Sequence, residues 1–366
     1  MKLESDKMGS EFELITRIRT LFGDDDARAA GILVGIGDDC ALLAPGALDL
    51  ISTDTLVEGV HFRRDWSSAF DIGYKALAVS LSDVAAMGAR AGAFLLNLSL
   101  PPETSRAFVD ALLAGIREAR DEAAAAGPAL ALIGGDTTAV PPGAPMMITT
   151  TVLGKSAPAG ALLRSGAQVG DRIVILGPTG LAQAGLELLL SDREKSSFPA
   201  LICAHTRPFP RVKEGAVIGA SGLANSMVDT SDGLLQDLGH ICRASAVGAR
   251  IWAARLPRHP ELVAYCAQLE KSTTLEANLL RYLLGGGEDF QLCLTVPECQ
   301  LAELRQCMQR ESDKERAEQT AQAAGRSTWE LHEIGEITPP EQGISVVDAQ
   351  GQQLQLDTVG YEHFAP

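Results

Sequence analysis

Short apolar runs alternate with longer stretches of helical periodicity along most of the chain. ILVGIG (32–37) and LDLIS (48–52) read as strands, each closing in small residues followed by acids. Residues 71–90 contain no proline and read as a helix, and AFLLNLSL (93–100) reads as a strand stopped by Pro101 and Pro102. Residues 103–126 are rich in strong helix formers, and Gly127 and Pro128 end that helix. ALALIGGD (129–136) is expected to be a buried strand running into a glycine turn, with a further strand over 146–154. Periodicity is then lost over 154–170, a stretch rich in Gly, Ala and Ser. It resumes with a strand (171–177), a helix (181–190), a turn followed by a helix (226–245), and a helix end, glycine turn and strand (281–296). Residues 300–325 are polar and read as a solvent-facing helix. Strands and helices mixed in both halves predict an α/β fold of α+β layers, with no short-period repeat. The break sets two expected domains, 1–155 and 156–366.

Composition narrows the partners more than the fold. A length of 366 residues accommodates two domains. Acids outnumber Lys and Arg by 47 to 31, which argues against a nucleic-acid groove and against an anionic membrane surface. No apolar run reaches the roughly 18 residues of a membrane span, and the best candidate, 76–100, is interrupted by Asp83 and Arg90. The seven cysteines are odd in number and form no CxxC pair, so they read as reduced thiols. The first residues lack a basic start leading into an apolar run, which sets a cytoplasmic expectation.

The acids are not scattered. They recur where an apolar strand is expected to end in a Gly, Ser or Thr turn: GIGDDCALL (Asp38, Asp39), STDTL (Asp54), LSDVAAMG (Asp83), IGGDTT (Asp136), VDTSDG (Asp229, Asp232) and GGGEDFQL (Glu288, Asp289). Each alone is ordinarily an N-cap or an Asx-turn. Six such places with few compensating bases exceed what capping requires. Converging carboxylates repel one another, and Mg²⁺, which takes oxygen ligands and keeps waters and phosphates in its shell, relieves that conflict. A phosphate facing a bare carboxylate is repelled by about 4 kcal/mol at 4 Å and an effective dielectric near 20. Bridging metals reverse that sign. Glycine turns at 134–136 and 285–289 add backbone N–H groups. The pattern therefore points to a site of several Mg²⁺ ions that binds phosphates. Familiar alternatives are missing: Gly154-Lys155-Ser156 has Thr149 where a P-loop needs its first glycine, and no GxSxG, HExxH or CxxC spacing occurs. His61 is a lone histidine, a type more often structural than functional.

Taken together and in this order, the segments resemble the thiamine-monophosphate kinase family of the aminoimidazole-ribonucleotide-synthetase-like superfamily. The matching stretches include SEFELI (10–15), GIGDDCALL (35–43), STDTLVEGVHF (52–62), YKALAVSLSDVAAMGA (74–89), GGDTT (134–138), RSGAQVGD (164–171), HTRPFPRV (205–212), VDTSDGLLQDLGHI (228–241), GGGEDFQL (285–292) and GYEHF (360–364). The resemblance implies a two-domain fold whose N-terminal domain pairs across a homodimer, with the ATP cleft between the domains. It implies phosphoryl transfer from ATP to thiamine phosphate. It assigns Mg²⁺ to positions matching Asp39, Ser52, Thr53, Asp54, Asp83, Asp136, Asp229 and Asp232. ATP contacts match Gly135, Asp136, Arg164 and Ser231, and thiamine phosphate contacts match His61, Glu288 and Tyr361. Three stretches depart from the pattern: Gly180-Leu181-Ala182 replaces a Gly-Asp-Ser turn, Phe290 stands where tyrosine is frequent, and 300–325 matches nothing.

A phosphate monoester acceptor is largely a dianion at neutral pH, so no general base is expected among the residues. The shared metal motifs leave open a sister ATP-dependent synthetase of the same superfamily and a metal-dependent phosphohydrolase.

Overall fold

The computed structural model describes residues 32–34, 38, 41–43, 48–124, 130–269, 274–318 and 329–355. Two mixed sheets organise them. The first takes strands β1 (Ile32–Val34), β2 (Ala41–Leu43), β3 (Leu50–Val57), β4 (Arg90–Leu100), β5 (Ala131–Ala139) and β6 (Met147–Lys155), in the order β1-β2-β3-β6-β4-β5. The second takes β7 (Arg172–Leu176), β8 (Ser226–Asp229), β9 (Gly248–Trp252), β10 (Leu292–Val296), β11 (Leu331–Thr338) and β12 (Ile344–Val347), in the order β12-β9-β11-β7-β10-β8. The α/β expectation holds in both halves. Among the described residues no helix is long and apolar enough to cross a membrane.

Alternation along β3 sets its two faces. Leu50 and Leu56 are buried, while Thr53 and Thr55 are exposed. Helix α1 (Ala69–Ala86) lies on the buried face, started by Ser68, whose hydroxyl accepts the N–H of Asp71. Unlike a surface helix with one apolar stripe, α1 is buried on nearly every side. Helix α2 (Arg106–Ala124) covers it so closely that a Cβ on Gly73 would lie 1.9 Å from the carbonyl oxygen of Leu112, and one on Gly115 1.9 Å from that of Phe70. Only glycine permits that backbone approach.

The C-terminal end of α1 enters the second half. Ala85 and Ala86 share a core with Val174 and Leu176 of β7 and Leu292 and Leu294 of β10. Helices α3 (Leu181–Leu190), α4 (Pro199–Thr206), α5 (Val212–Ser221), α6 (Leu234–Ser245), α7 (Pro260–Cys266), α8 (Leu275–Gly285) and α9 (Glu298–Glu318) complete the described helices of this half.

Several acids sit differently from the sequence expectation. Asp54 is in the middle of β3, because that strand runs five residues past 52 through its β-favouring threonines. Asp83 is in the last turn of α1 and not at a strand end. The expected buried strand ending at 136 is an exposed edge strand that continues to Ala139, with Leu132 52% accessible. The stretch 226–245 begins with β8, a four-residue strand buried throughout, which a turn-plus-helix reading passes over.

Candidate active site

Helix α1 carries the site. Near its C-terminal end, Asp83 accepts a hydrogen bond from the Ser52 hydroxyl of β3. Asp54, two residues along the same face of β3, meets Ser80 and Asp83. Burial pushes its carboxyl above the usual range, against hydrogen bonds from those two neighbours. Although Asp54 keeps an exposed edge, its Oδ2 is sealed from solvent and has no hydrogen-bond partner. On the other flank of α1, the Ser82 hydroxyl donates 2.6 Å to Oδ2 of Asp229, the last residue of β8. Residues 80–83 thus place the Asp54–Asp83 pair on one flank of α1 and Asp229 on the other. Hard oxygen donors and one orphaned buried oxygen fit a divalent cation such as Mg²⁺. Asp54 and Asp83 would hold it, with Ser52 fixing Asp83, while Asp229 faces the other flank of α1.

Two paired loops extend the site beyond Asp229. Residues 230–233 and 286–291 are laced together by Glu288 N–H to the Ser231 carbonyl (2.7 Å), Phe290 N–H to that of Thr230 (2.9 Å) and Thr230 N–H to that of Gln291 (2.8 Å). Glu288 and Phe290 both adopt left-handed backbone, at φ +63° and +51°. The alternation aims Glu288 out of the loop and Asp289 into the protein. Asp289 is buried and accepts the N–H groups of Gly180 and Ala182, so it caps α3. Burial raises its carboxyl to about 7 even with those donors. Its role is the ordinary capping one.

Glu288 reaches back to the first half. Its Oε1 lies 3.0 Å from Lys75 Nζ of α1, and its Oε2 3.1 Å from His205 Nδ1 of α4. Burial alone would raise its carboxyl, but Lys75 and His205 outweigh it and hold the group at about 2. His205 is pushed down from its ordinary value by burial and by Lys75. The His61 ring accepts the N–H of Val57 at 3.0 Å, and the His61 carbonyl accepts from Lys75 at 3.2 Å.

A further group surrounds Asp232. Its N–H donates 3.1 Å to Asp237 Oδ2, and side-chain ligand atoms of Asp232, Asp237 and His240 lie within 4.8 Å of one another. Burial, with the charges of Arg164 and Arg243, lowers His240 to about 3, so its imidazole is neutral at physiological pH. The Arg164 N–H faces Asp38 Oδ2 at 3.2 Å.

Not every expected residue joins these groups. The Thr53 hydroxyl lies on the opposite face of β3, bonded to Thr151 at 2.9 Å. Cross-strand register runs Asp54–Thr150–Leu96–Gly135, which puts Asp136 in the neighbouring row beside Asn97, on the exposed face. Three strand spacings separate it from Asp54, roughly 14 Å. Its carboxylate accepts from Thr138 at 2.9 Å. Gly135, at φ +152°, lies so near β4 that a Cβ would sit 1.8 Å from the Leu96 carbonyl. Asp39 and Tyr361 lie outside the described residues.

Sequence reasoning missed Lys75, His205, Asp237 and His240. Three of them carried a readable signal. Lys75 is an isolated cation in an apolar helical run, and Asp237 and His240 are three apart on α6.

A helix shared by two mixed sheets, with carboxylates and glycine-rich loops gathered where they meet, defines a class. The family model for the N-terminal domain of AIR synthase related proteins matches residues 37–156. The chain belongs to the thiamine-monophosphate kinase family. It is 38% identical over 362 residues to thiamine-monophosphate kinase of Escherichia coli (strain K12), covering 97% of this chain and 98% of the relative. The solved structure of AaThiL complexed with AMPPCP and TMP superposes with a TM-score of 0.75 at 29% identity, covering 98% of this chain and all of that one. Thiamine-monophosphate kinase from Stenotrophomonas maltophilia K279a gives 0.66 at 35% identity, covering 93% and 96%.

Proposed function

We propose that this chain catalyses Mg²⁺-dependent transfer of the γ-phosphoryl group of ATP to thiamine phosphate, yielding ADP and thiamine diphosphate. The observation that carries the reading is the orphaned, buried Asp54 Oδ2 among the carboxylates around residues 80–83. The relative solved with AMPPCP and TMP supports the choice of ligands.

Two polyanions must meet in line, so positioning and charge stabilisation dominate the chemistry. Bound Mg²⁺ would neutralise phosphate charge. The chain's own work is to hold the carboxylates converged before the ligands arrive. Ser52 orients Asp83 from β3, and Ser82 orients Asp229 from α1. Asp232 and Ser231 line the turn after β8, next to Arg164, whose fixed charge suits the ATP phosphates. His61 and Glu288, joined through Lys75, form the acceptor side. The acceptor dianion attacks without surrendering a proton, so none of these groups serves as a base.

The reading extends to residues 1–155 and 156–366 as the two domains, to a cytoplasmic location, and to a homodimer formed through the exposed face of the first sheet. In that dimer Asp136 and Thr53 lie on the contact face. Asp39 and Tyr361 keep their metal and acceptor assignments in this proposal.

The test is an incubation of purified protein with ATP, Mg²⁺ and thiamine phosphate, with product separation and a no-acceptor control. Equal amounts of ADP and thiamine diphosphate, both dependent on acceptor, are expected. ADP with free phosphate and no thiamine diphosphate would reject the acceptor.

A further inference from the structure

Lys75 has no role in a metal or nucleotide site, yet it is placed with care. It is 2% exposed, in the first half of α1. An ammonium so fully desolvated persists only when paired. Two groups hold it: Glu288 Oε1 at 3.0 Å and the His61 carbonyl at 3.2 Å. They come from opposite halves of the fold, the turn after β3 and the loop before β10.

Glu288 is fixed from both ends. Its backbone is in the left-handed region, which a non-glycine residue adopts at a cost, and its N–H is tied to Ser231. Its second carboxylate oxygen faces His205, itself buried on α4. Each carboxylate oxygen therefore already faces a nitrogen of the protein. Strain in the loop and the burial of Lys75 and His205 converge on one geometric result: a defined separation between His61 and Glu288.

We propose that Lys75 is a positioning residue for the acceptor. By holding the His61 carbonyl and the Glu288 carboxylate on one ammonium, it sets the width of the cleft into which thiamine phosphate fits. Lys75 reaches the nucleotide side only indirectly: its ammonium contacts His61 and Glu288, while Ser231 meets the Glu288 backbone and not Lys75. This inference rests on the reading that His61 and Glu288 flank the acceptor.

The experiment compares wild type, Lys75→Met and Lys75→Gln. Steady-state KM is measured for thiamine phosphate and for ATP, and AMPPCP binding with Mg²⁺ is measured by calorimetry. Lys75→Met should raise KM for thiamine phosphate at least tenfold while KM for ATP and the AMPPCP Kd stay within threefold. Lys75→Gln keeps one donor in the pocket and should show the same selectivity with a smaller rise, which serves if the Met variant does not fold. A parallel rise in both KM values, or no change in either, overturns the positioning role. Wild-type protein that forms no thiamine diphosphate overturns the acceptor reading itself, and this inference with it. That failure is seen before any variant is made.

Discussion

Replacing Asp54 by Asn should make the metal-free protein more stable while removing its activity. In the folded chain Asp54 Oδ2 is buried without a partner, and the carboxylate is pressed against Asp83. A buried unsatisfied polar group costs about 1–3 kcal/mol, and more when charged. The Asn amide carries no charge to desolvate and puts an N–H donor where the orphaned oxygen sits. In EDTA the variant should gain about 1–3 kcal/mol, a rise of roughly 1–2 °C in Tm per kcal/mol for a chain of this length. Adding Mg²⁺ reverses the order. A ligand at a hundredfold its Kd stabilises the folded state by about 2.7 kcal/mol, and that gain shrinks in a variant that has lost a ligand oxygen. Differential scanning fluorimetry of both proteins in EDTA and across a Mg²⁺ titration measures each quantity, and kcat is read in parallel. A variant less stable than wild type in EDTA, or one that gains as much from Mg²⁺, would refute the argument that Asp54 is held ready for a cation.

Three other outcomes follow from the same contacts. Ser82→Ala removes a buried hydrogen bond to the Asp229 carboxylate, and urea unfolding should show a loss of about 1.5–3 kcal/mol. Glu288 is held at about 2 in the folded state, below the roughly 4.5 of an unperturbed glutamate, so the folded protein binds fewer protons there than the unfolded chain. The corresponding stability is present above pH 4.5 and lost as pH falls toward 2. Relative to Glu288→Gln, wild type should lose on the order of 3 kcal/mol across that window, visible as converging urea midpoints below pH 4.5. Gly135→Ala would drive a Cβ into the Leu96 carbonyl, so β5 must shift away from β4. Hydrogen exchange of β5 amides should accelerate while the second half is unchanged.

Element types were legible wherever one period ran long. The helix over 181–190 was read to the residue, and the strand over 171–177 falls within one residue of β7 at each end. The helix expected over 300–325 is α9, starting at Glu298 and described to Glu318. The misreadings have a common cause. Asp in an apolar stretch was taken as punctuation, so Asp54 and Asp136 were put at strand ends. Both strands run on, because threonine keeps a chain extended and a neighbouring strand supplies the pairing. Burial of β5 was expected from its Ala and Leu content, but an edge position is a property of the whole sheet and leaves no local trace. The carboxylate cluster was legible as chemistry. What was not legible was which face of the sheet each carboxylate takes, since that depends on register across four strands. His205 was invisible for the opposite reason: its meaning lies in Glu288, far away in the chain.

The sharing of α1 between the two halves also bears on biosynthesis. Ser82 and Asp229 are 147 residues apart in the chain. At 5–20 residues per second a ribosome needs about 7–30 s to traverse that distance. Once Lys155 has been made, the first sheet and α2 can receive α1, but Ser82, Ala85 and Ala86 still have nothing to pack against, and Lys75 waits longer still for Glu288. The nascent chain therefore carries a half-housed apolar helix with an uncompensated cation until the second sheet emerges. A ribosome stalled before β8 would display that helix to chaperones, and a chain released there would have no way to bury it except against another copy of itself.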